Sequence, residues 1–447
     1  MTQDNPVEPA RCAERLSGQR PPGSHPAISG RYLWVMLSLL MSVTIFEGYD
    51  VTIFHLCTPD IARTFHMNDL DVGAMASFVR LGGIAAFFIL LAADRVGRKP
   101  IVSYTVFFYT LFTLLTALSR GLTTFTVFQS LAQLFLSAEF SVATIMISEE
   151  FPDHWRGRGV ALLNMIGLVG VIVGGGLYGP IAESAWGWRG MYFIGIAPLL
   201  LVAFLRRNLR ETVRFSAMIA DHPPEPGFIH GMRQSFGRTF GALRGPYRGR
   251  LLLIALLWNC VGLVRAPAVT FFALYAKRDR HWTSSEVGHA VVLAYVIGTL
   301  GHLLAGYMLD RVGRKATTCL FYVIGALSVV LLFRSTAHAP MLTWMVATVF
   351  AFQGARTTTA TYSTELFPTA IRATSYSLTV QVLGSIADLL TPFTIGALAQ
   401  SLGGLGNAVS AVAIGPVIGA LLVVLFAPET RGMSLEDLAA PTAPAAD

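Results

Sequence analysis

Apolar residues along the chain gather into runs of about twenty, separated by short polar breaks. The runs lie near 33–55, 72–93, 101–119, 123–148, 160–182 and 190–206, and then near 250–275, 286–308, 316–334, 339–363, 375–399 and 404–427. A bilayer core about 30 Å thick needs about 20 helical residues to cross it, so the pattern predicts twelve membrane-spanning helices in an all-α membrane protein. The intervals divide the chain further. Residues 1–30 carry Pro, Gly and Arg without an apolar period and read as a disordered cytoplasmic leader, because they lack the apolar core and cleavage site of a signal peptide. Two six-helix bundles are expected at 31–206 and 250–428, joined by a polar central cytoplasmic loop at 207–249 and followed by a tail at 429–447.

The two halves also repeat each other. Asp94-Arg95-Val96-Gly97-Arg98-Lys99 returns as Asp310-Arg311-Val312-Gly313-Arg314-Lys315, and Glu149, Phe151, Pro152 and Arg156 return as Glu365, Phe367, Pro368 and Arg372, both at an offset of 216 residues. A looser echo, Glu211-Thr212 against Glu429-Thr430, closes each half at an offset of 218. Matches in one order at nearly one spacing mark an internal duplication. Gly97 and Gly313 permit a tight turn between antiparallel helices, while the adjoining Arg and Lys keep that turn on the cytoplasmic side.

Composition changes the picture by excluding a water-facing surface. At 53% hydrophobic and 13% charged residues, the 447-residue chain has too few polar groups to cover a soluble fold. The net charge of +7 does not argue for nucleic acid, because the basic residues sit in short breaks between apolar runs. With both termini inside, 23 Lys and Arg fall on the inner side and 7 on the outer side, which the positive-inside rule supports. The four cysteines show no ligand spacing, so no disulfide framework, metal or cofactor is expected. No G-x-x-x-x-G-K-[ST] phrase occurs, which leaves ATP out as the energy source.

This organisation resembles the major facilitator superfamily. The D-R-x-G-R-K turns resemble the loops after its second and eighth helices, and Leu90–Thr105 resembles the sugar-porter-type signature. Glu149-Glu150-Phe151-Pro152 through Arg156, Glu365-Leu366-Phe367-Pro368 through Arg372, and Pro428-Glu429-Thr430-Arg431-Gly432 resemble the matching helix-end motifs. Glu139 sits where organic-ion and metabolite:proton branches carry an acid, and Glu47-Gly48-Tyr49-Asp50 resembles the D-G-[FY]-D of aromatic acid:proton symporters. Gln129, Gln133, Phe135 and Ser137 depart from the Arg and alternating glycines usual at the fourth helix. The resemblance implies two pseudo-symmetric bundles that rock. It also implies a cytoplasmic latch in which Asp94, Arg98, Glu150 and Arg156, with Asp310, Arg314, Glu365 and Arg372 in the second half, make charged contacts that break on opening.

Charges inside the apolar runs locate the candidate chemistry, because an ionisable side chain at mid-membrane costs roughly 2.5–3.5 kcal/mol unless it meets a cavity or a partner. Glu47 and Asp50 are three apart and share one face of the first run, and the 216-residue offset sets them opposite Arg265. The same offset sets Glu139 against Arg356. On this reading Asp50, Glu47 and Glu139 couple protons, and an anionic solute competes with them for Arg265 or Arg356. Tyr49, Gln133, Trp258 and Asp388 complete the candidate solute contacts; His55 and His302 are further candidates for proton movement or buried hydrogen bonding, and Arg80 for function, snorkelling or local pairing. Structural ion bridges that never meet solute are the plainer alternative.

The expectation is therefore a secondary transporter of the cell membrane, of bacterial plasma-membrane type, and no enzyme. It carries a small organic anion, aromatic or otherwise carboxylic, together with protons, functions as a monomer in the lipid bilayer and binds no nucleic acid. A drug or organic-cation antiporter, a sugar facilitator and a non-transporting membrane sensor remain the alternatives.

Overall fold

In the computed structural model the described residues are 30–150, 153–205, 247–367 and 375–431. Residues 1–29 of the leader, 207–246 of the central loop, Arg372 and most of the tail lie outside them. Every regular element among the described residues is helical. In the first half these are α1 (Gly30–Thr64), α2 (Asp69–Val96), α3 (Arg98–Ala117), α4 (Leu122–Glu150), α5 (Asp153–Ala182) and α6 (Gly187–Leu205). The second half follows with α7 (Arg248–Arg278), α8 (Ser284–Gly298, resumed after Thr299 as Leu300–Arg311), α9 (Arg314–Arg334) and α10 (His338–Glu365). It closes with α11 (a π turn Ser377–Val382 and a 3-10 turn Leu383–Ser385 leading into Ile386–Ser401) and α12 (Leu405–Val412 and Ile414–Phe426).

Among the described residues, 10 spans are long and apolar enough to cross a membrane. Most helices run beyond the apolar stretches that announce them, because capped polar turns extend them into the interface. Asn68 caps α2 by accepting from the Asp71 N–H while the Asp71 carboxylate accepts from the Asn68 N–H, and Thr283 with Glu286 does the same for α8. α10 falls outside the apolar set. Its second half carries Gln353, Arg356, Thr357, Thr358, Thr359 and Thr361, and such a helix needs polar neighbours.

Two packing rules place the site. Within the first half α1 packs on α5, and α2 and α3 on α4; within the second, α9 packs on α10 and α12, and α8 on α10. Between the halves α2 meets α11, α5 meets α8 and α1 meets α7. The crossings depend on missing side chains. A Cβ at Gly170 of α5 would run into the Ile45 carbonyl oxygen of α1, and one at Gly175 would meet Val292 and the Gly288 carbonyl of α8. The duplicated turns are alike in detail: Gly97 and Gly313 take φ of 111° and 116°, where a side chain would be strained.

Candidate functional site

A cavity of about 270 Å³ opens where α1, α2, α4, α7 and α11 converge. On α2, Arg80, Gly83, Ile84 and Phe87 recur at three- and four-residue steps and so share one face, and on α4 Gln133, Ser137, Phe140 and Ser141 do the same. Glu47 comes from α1, Arg265 from α7, and Ser385 and Asp388 from α11. The cavity thus has walls from both halves, and each wall carries a guanidinium.

The second-half wall is built around an irregular backbone. α11 enters through its π and 3-10 turns, and Asn259 of α7 holds that break by donating to the Leu383 carbonyl (2.8 Å) and accepting from the Ala387 N–H (2.6 Å). Non-helical backbone at this depth is tolerated where a side chain satisfies it and it lines a cavity. The break sets Asp388 against α7 one turn from Gly262, where it ion-pairs with Arg265. Asp388 Oδ1 has no hydrogen-bond partner among the described residues. The expected opposition of Arg265 to the α1 carboxylates is therefore replaced by a pair inside the second half.

Glu47 and Asp50 are separated by the helix they share. Three residues turn an α-helix by about 300°, leaving the two side chains about 60° apart around the axis. Glu47 reaches the cavity, whereas Asp50 turns back into the first half and is buried beside Tyr109 and Gln129 of α3 and α4. Glu139 is buried as well, and with Arg356 and Asp50 it lies within electrostatic reach of Glu47. Arg356 itself is exposed and, with Glu139, is absent from the cavity wall.

The other expected solute contacts divide. Gln133 lines the cavity and donates to Ser137 Oγ at 3.0 Å. Tyr49 does not line it; it is buried against α6, where its hydroxyl donates to the Met191 carbonyl (2.7 Å). Trp258 also has a structural partner, since its indole donates to Ser363 Oγ (2.9 Å) and ties α7 to α10. His55 is bonded to Thr270 (3.2 Å) between α1 and α7, and His302 to Thr357 (2.6 Å).

Sequence reasoning missed a set of ion pairs between the two halves, at the helix ends remote from the duplicated turns. Asp60 of α1 accepts from Lys277 Nζ and from the Tyr178 hydroxyl, each at 2.7 Å, and Lys277 also donates to Ser284 Oγ at 2.8 Å. Beside it Asp69 of α2 pairs with Arg278 of α7, and Ser77 of α2 accepts from the Phe393 N–H of α11 (3.1 Å). Lys277 and Arg278 are two of the 7 basic residues that the charge count places on the outer side. Asp60 and Lys277 stand 217 residues apart, one more than the repeat offset, whereas Asp69 and Arg278 are 209 apart and no spacing in the sequence announces them.

The turn and helix-end motifs of the second half form one cluster. Arg314 pairs with Glu365 (2.9 Å) and Asp310 (3.6 Å) and donates to the Leu309 carbonyl (2.9 Å). Glu429 accepts from the Arg314 and Lys315 N–H groups at the start of α9 (2.8 and 3.0 Å), while Thr430 bonds Glu365. Burial pushes the Glu429 carboxyl up, but the N–H groups of Arg314, Lys315 and Arg431 outweigh it and hold the group below the ordinary carboxylate range. In the first half Arg98 donates to the Ala93 carbonyl (3.0 Å), five residues back as Arg314 does, and both Arg98 and Glu150 are buried. The side chains of Asp94 and Arg156 lie outside the described residues. All described members of the second-half cluster belong to that half, so in this state they brace one bundle and do not bridge two.

The profile of the Major Facilitator Superfamily matches residues 40–392, with a second, overlapping match over 254–445. The chain belongs to the Major Facilitator Superfamily. It is a multi-pass membrane protein, and the double match echoes the duplication read from the turns. Other superfamily members are similar over most of their length. The cis,cis-muconate transport protein of Acinetobacter baylyi is 26% identical over 370 residues, covering 83% of this chain and 87% of the relative. The gallate transporter of Pseudomonas putida is 26% identical over 421 residues, covering 88% and 91%. Among solved folds, a bacterial homologue of the human lysosomal transporter Spinster superposes with a TM-score of 0.74 at 18% identity, covering 89% of this chain and 97% of that one. A D-xylose-proton symporter gives 0.72 at 18% identity, covering 90% and 100%.

Proposed function

We propose that the protein is a secondary active transporter, not an enzyme, which carries a small organic anion together with protons by alternating access. The observation that carries the reading is the shared cavity, where Arg80 and Arg265 face inward from opposite halves and Glu47 and Asp388 share the space. Arginines in a water-excluded cleft recognise carboxylates through paired N–H groups, and the neighbouring acids supply sites at which a proton replaces an ion pair. Relatives named for muconate and gallate, and a neighbour in fold named as a xylose-proton symporter, support the solute class and the coupling.

The working cycle follows from the charges. Asp60–Lys277 and Asp69–Arg278 close the outer side in this state. Protonation of Asp388 or Glu47 removes a negative charge from the cavity, weakens its hold on the cations and admits an anion, so solute and proton cross together. Glu139 and Asp50 are assigned to the proton route behind Glu47, and Arg356 to the electrostatic field around it. The cytoplasmic clusters around Arg98 and Arg314 are assigned as latches that stiffen each bundle as it rocks; an exposed pair contributes about 0.2–1 kcal/mol, enough to bias a two-state equilibrium without locking it. The full proposal has twelve crossings, with α6 and α10 among them, bundles at 31–206 and 250–428, both termini cytoplasmic and a monomer as the working unit.

Purified protein reconstituted in liposomes tests this directly. An inward pH gradient, acid outside, is expected to drive uptake of cis,cis-muconate, gallate or 4-hydroxybenzoate above the ungraded control. Uptake confined to cations or neutral sugars, or insensitive to the gradient, would sink the proposal.

A further inference from the structure

Arg80 stands apart from the other cation on the cavity wall. Arg265, across the cavity, is paired with Asp388. Arg80 makes no hydrogen bond and no ion pair among the described residues, although Glu47 and Asp388 share its cavity. Tyr295 of α8, His55 of α1 and Arg265 lie within its electrostatic reach, and neither of the carboxylates that share its cavity makes an ion pair with it. A guanidinium held at this depth with no paired anion among the described residues is a receptor for one, because an ion pair with a solute carboxylate offsets the cost of its burial.

We propose that Arg80 is the primary anchor for the carboxylate of the transported solute, and that the solute is a compact carboxylate with a flat or apolar body. The second part follows from the same helix face. Phe87 lies two turns from Arg80, about 10 Å along the axis, and Phe140 of α4 lines the cavity with it. The Gln133–Ser137 pair on the same wall is placed for a hydroxyl or second polar substituent. A cavity of about 270 Å³ is at the small end for ligand sites and suits a body of one ring. Arg265 then acts second, when its hold on Asp388 loosens. The inference rests on the anion-transport reading and assigns the first contact within it.

The test uses the full-length protein in lipid nanodiscs and calorimetric binding of 4-hydroxybenzoate, gallate and cis,cis-muconate, with uncharged 4-hydroxybenzamide as the control. Arg80→Gln is expected to weaken the carboxylates by about 100-fold, the range for removing one partner of a desolvated charge pair, while the amide changes by less than about threefold. Arg80→Lys keeps the charge but loses the fork, so about tenfold weakening is expected for it. It also serves as the second variant if Arg80→Gln fails to fold. Carboxylate affinities within about threefold of wild type in either folded variant, or equal losses for acid and amide, overturn the anchor and leave the transport reading intact. Wild-type protein that binds none of the three carboxylates overturns both.

Discussion

The two walls of the cavity carry the same side chain in opposite circumstances. On the second-half wall, Arg265 is neutralised by Asp388, and the carboxylate reaches it only because α11 breaks its helix and Asn259 holds the break. On the first-half wall, Arg80 projects from an unbroken α2 with no hydrogen-bond or ion-pair partner among the described residues. The difference separates two tasks that a charge count would merge. A paired cation can be switched by protonating its partner, whereas an unpaired one can only wait for a ligand.

Breaking the paired wall should have the largest effect. Asp388→Ala strands Arg265 and is expected to lower stability by about 2 kcal/mol, less than the 3–5 kcal/mol of a dry pair because the Arg265 side chain is 31% exposed to the cavity. Adding Arg265→Ala should recover much of the loss without restoring uptake, as read by thermal unfolding beside transport; no recovery would mean that the two residues are not coupled. Next comes Glu47→Gln, which should cut pH-driven accumulation by about tenfold while solute exchange across the membrane continues. Unchanged proton dependence would move the coupling onto Asp388 alone.

Smaller effects are expected away from the walls. Lys277→Ala removes an outer ion pair and should shift the population toward outer opening by about 1 kcal/mol. Its readout is faster labelling of buried Cys57, one turn from Asp60, by a membrane-impermeant maleimide added outside; unchanged labelling would deny the seal. The smallest concerns Glu429→Gln, for which a loss under about 1 kcal/mol is expected at neutral pH. Because the Glu429 carboxyl titrates below its unfolded value, its contribution is complete above that value and disappears as pH falls through the lower, folded one. The stability gap between wild type and variant should therefore be flat near pH 7 and close only in strong acid, below about 4.

How much of this was legible beforehand varied with distance along the chain. Gly97 and Gly313, Arg314 with Glu365, and the long apolar helices follow from local spacing and the repeat. The offset also put Arg265 on the same cavity as Glu47. It failed for Asp50, because an offset gives depth in the membrane but not rotation about the helix axis. It failed again for Arg265, whose partner is 123 residues on, beside a break in α11 that no periodic pattern announces. Tyr49 and Trp258 looked free to stack on a ring until their polar ends were found bonded to Met191 and Ser363.

By itself the sequence determined the solvent, the helical class, the duplication and the two glycine turns. Each follows from a short-range rule: the length of an apolar run, the φ of a glycine, the charge of a loop. Tertiary structure alone decided which buried charges meet. The rotation of each helix and the break in α11 set Asp388 on Arg265, turned Asp50 away and left Arg80 facing the cavity without a partner among the described residues. A charge in a membrane is specified by what stands within a few ångströms of it, and that neighbour comes from another helix.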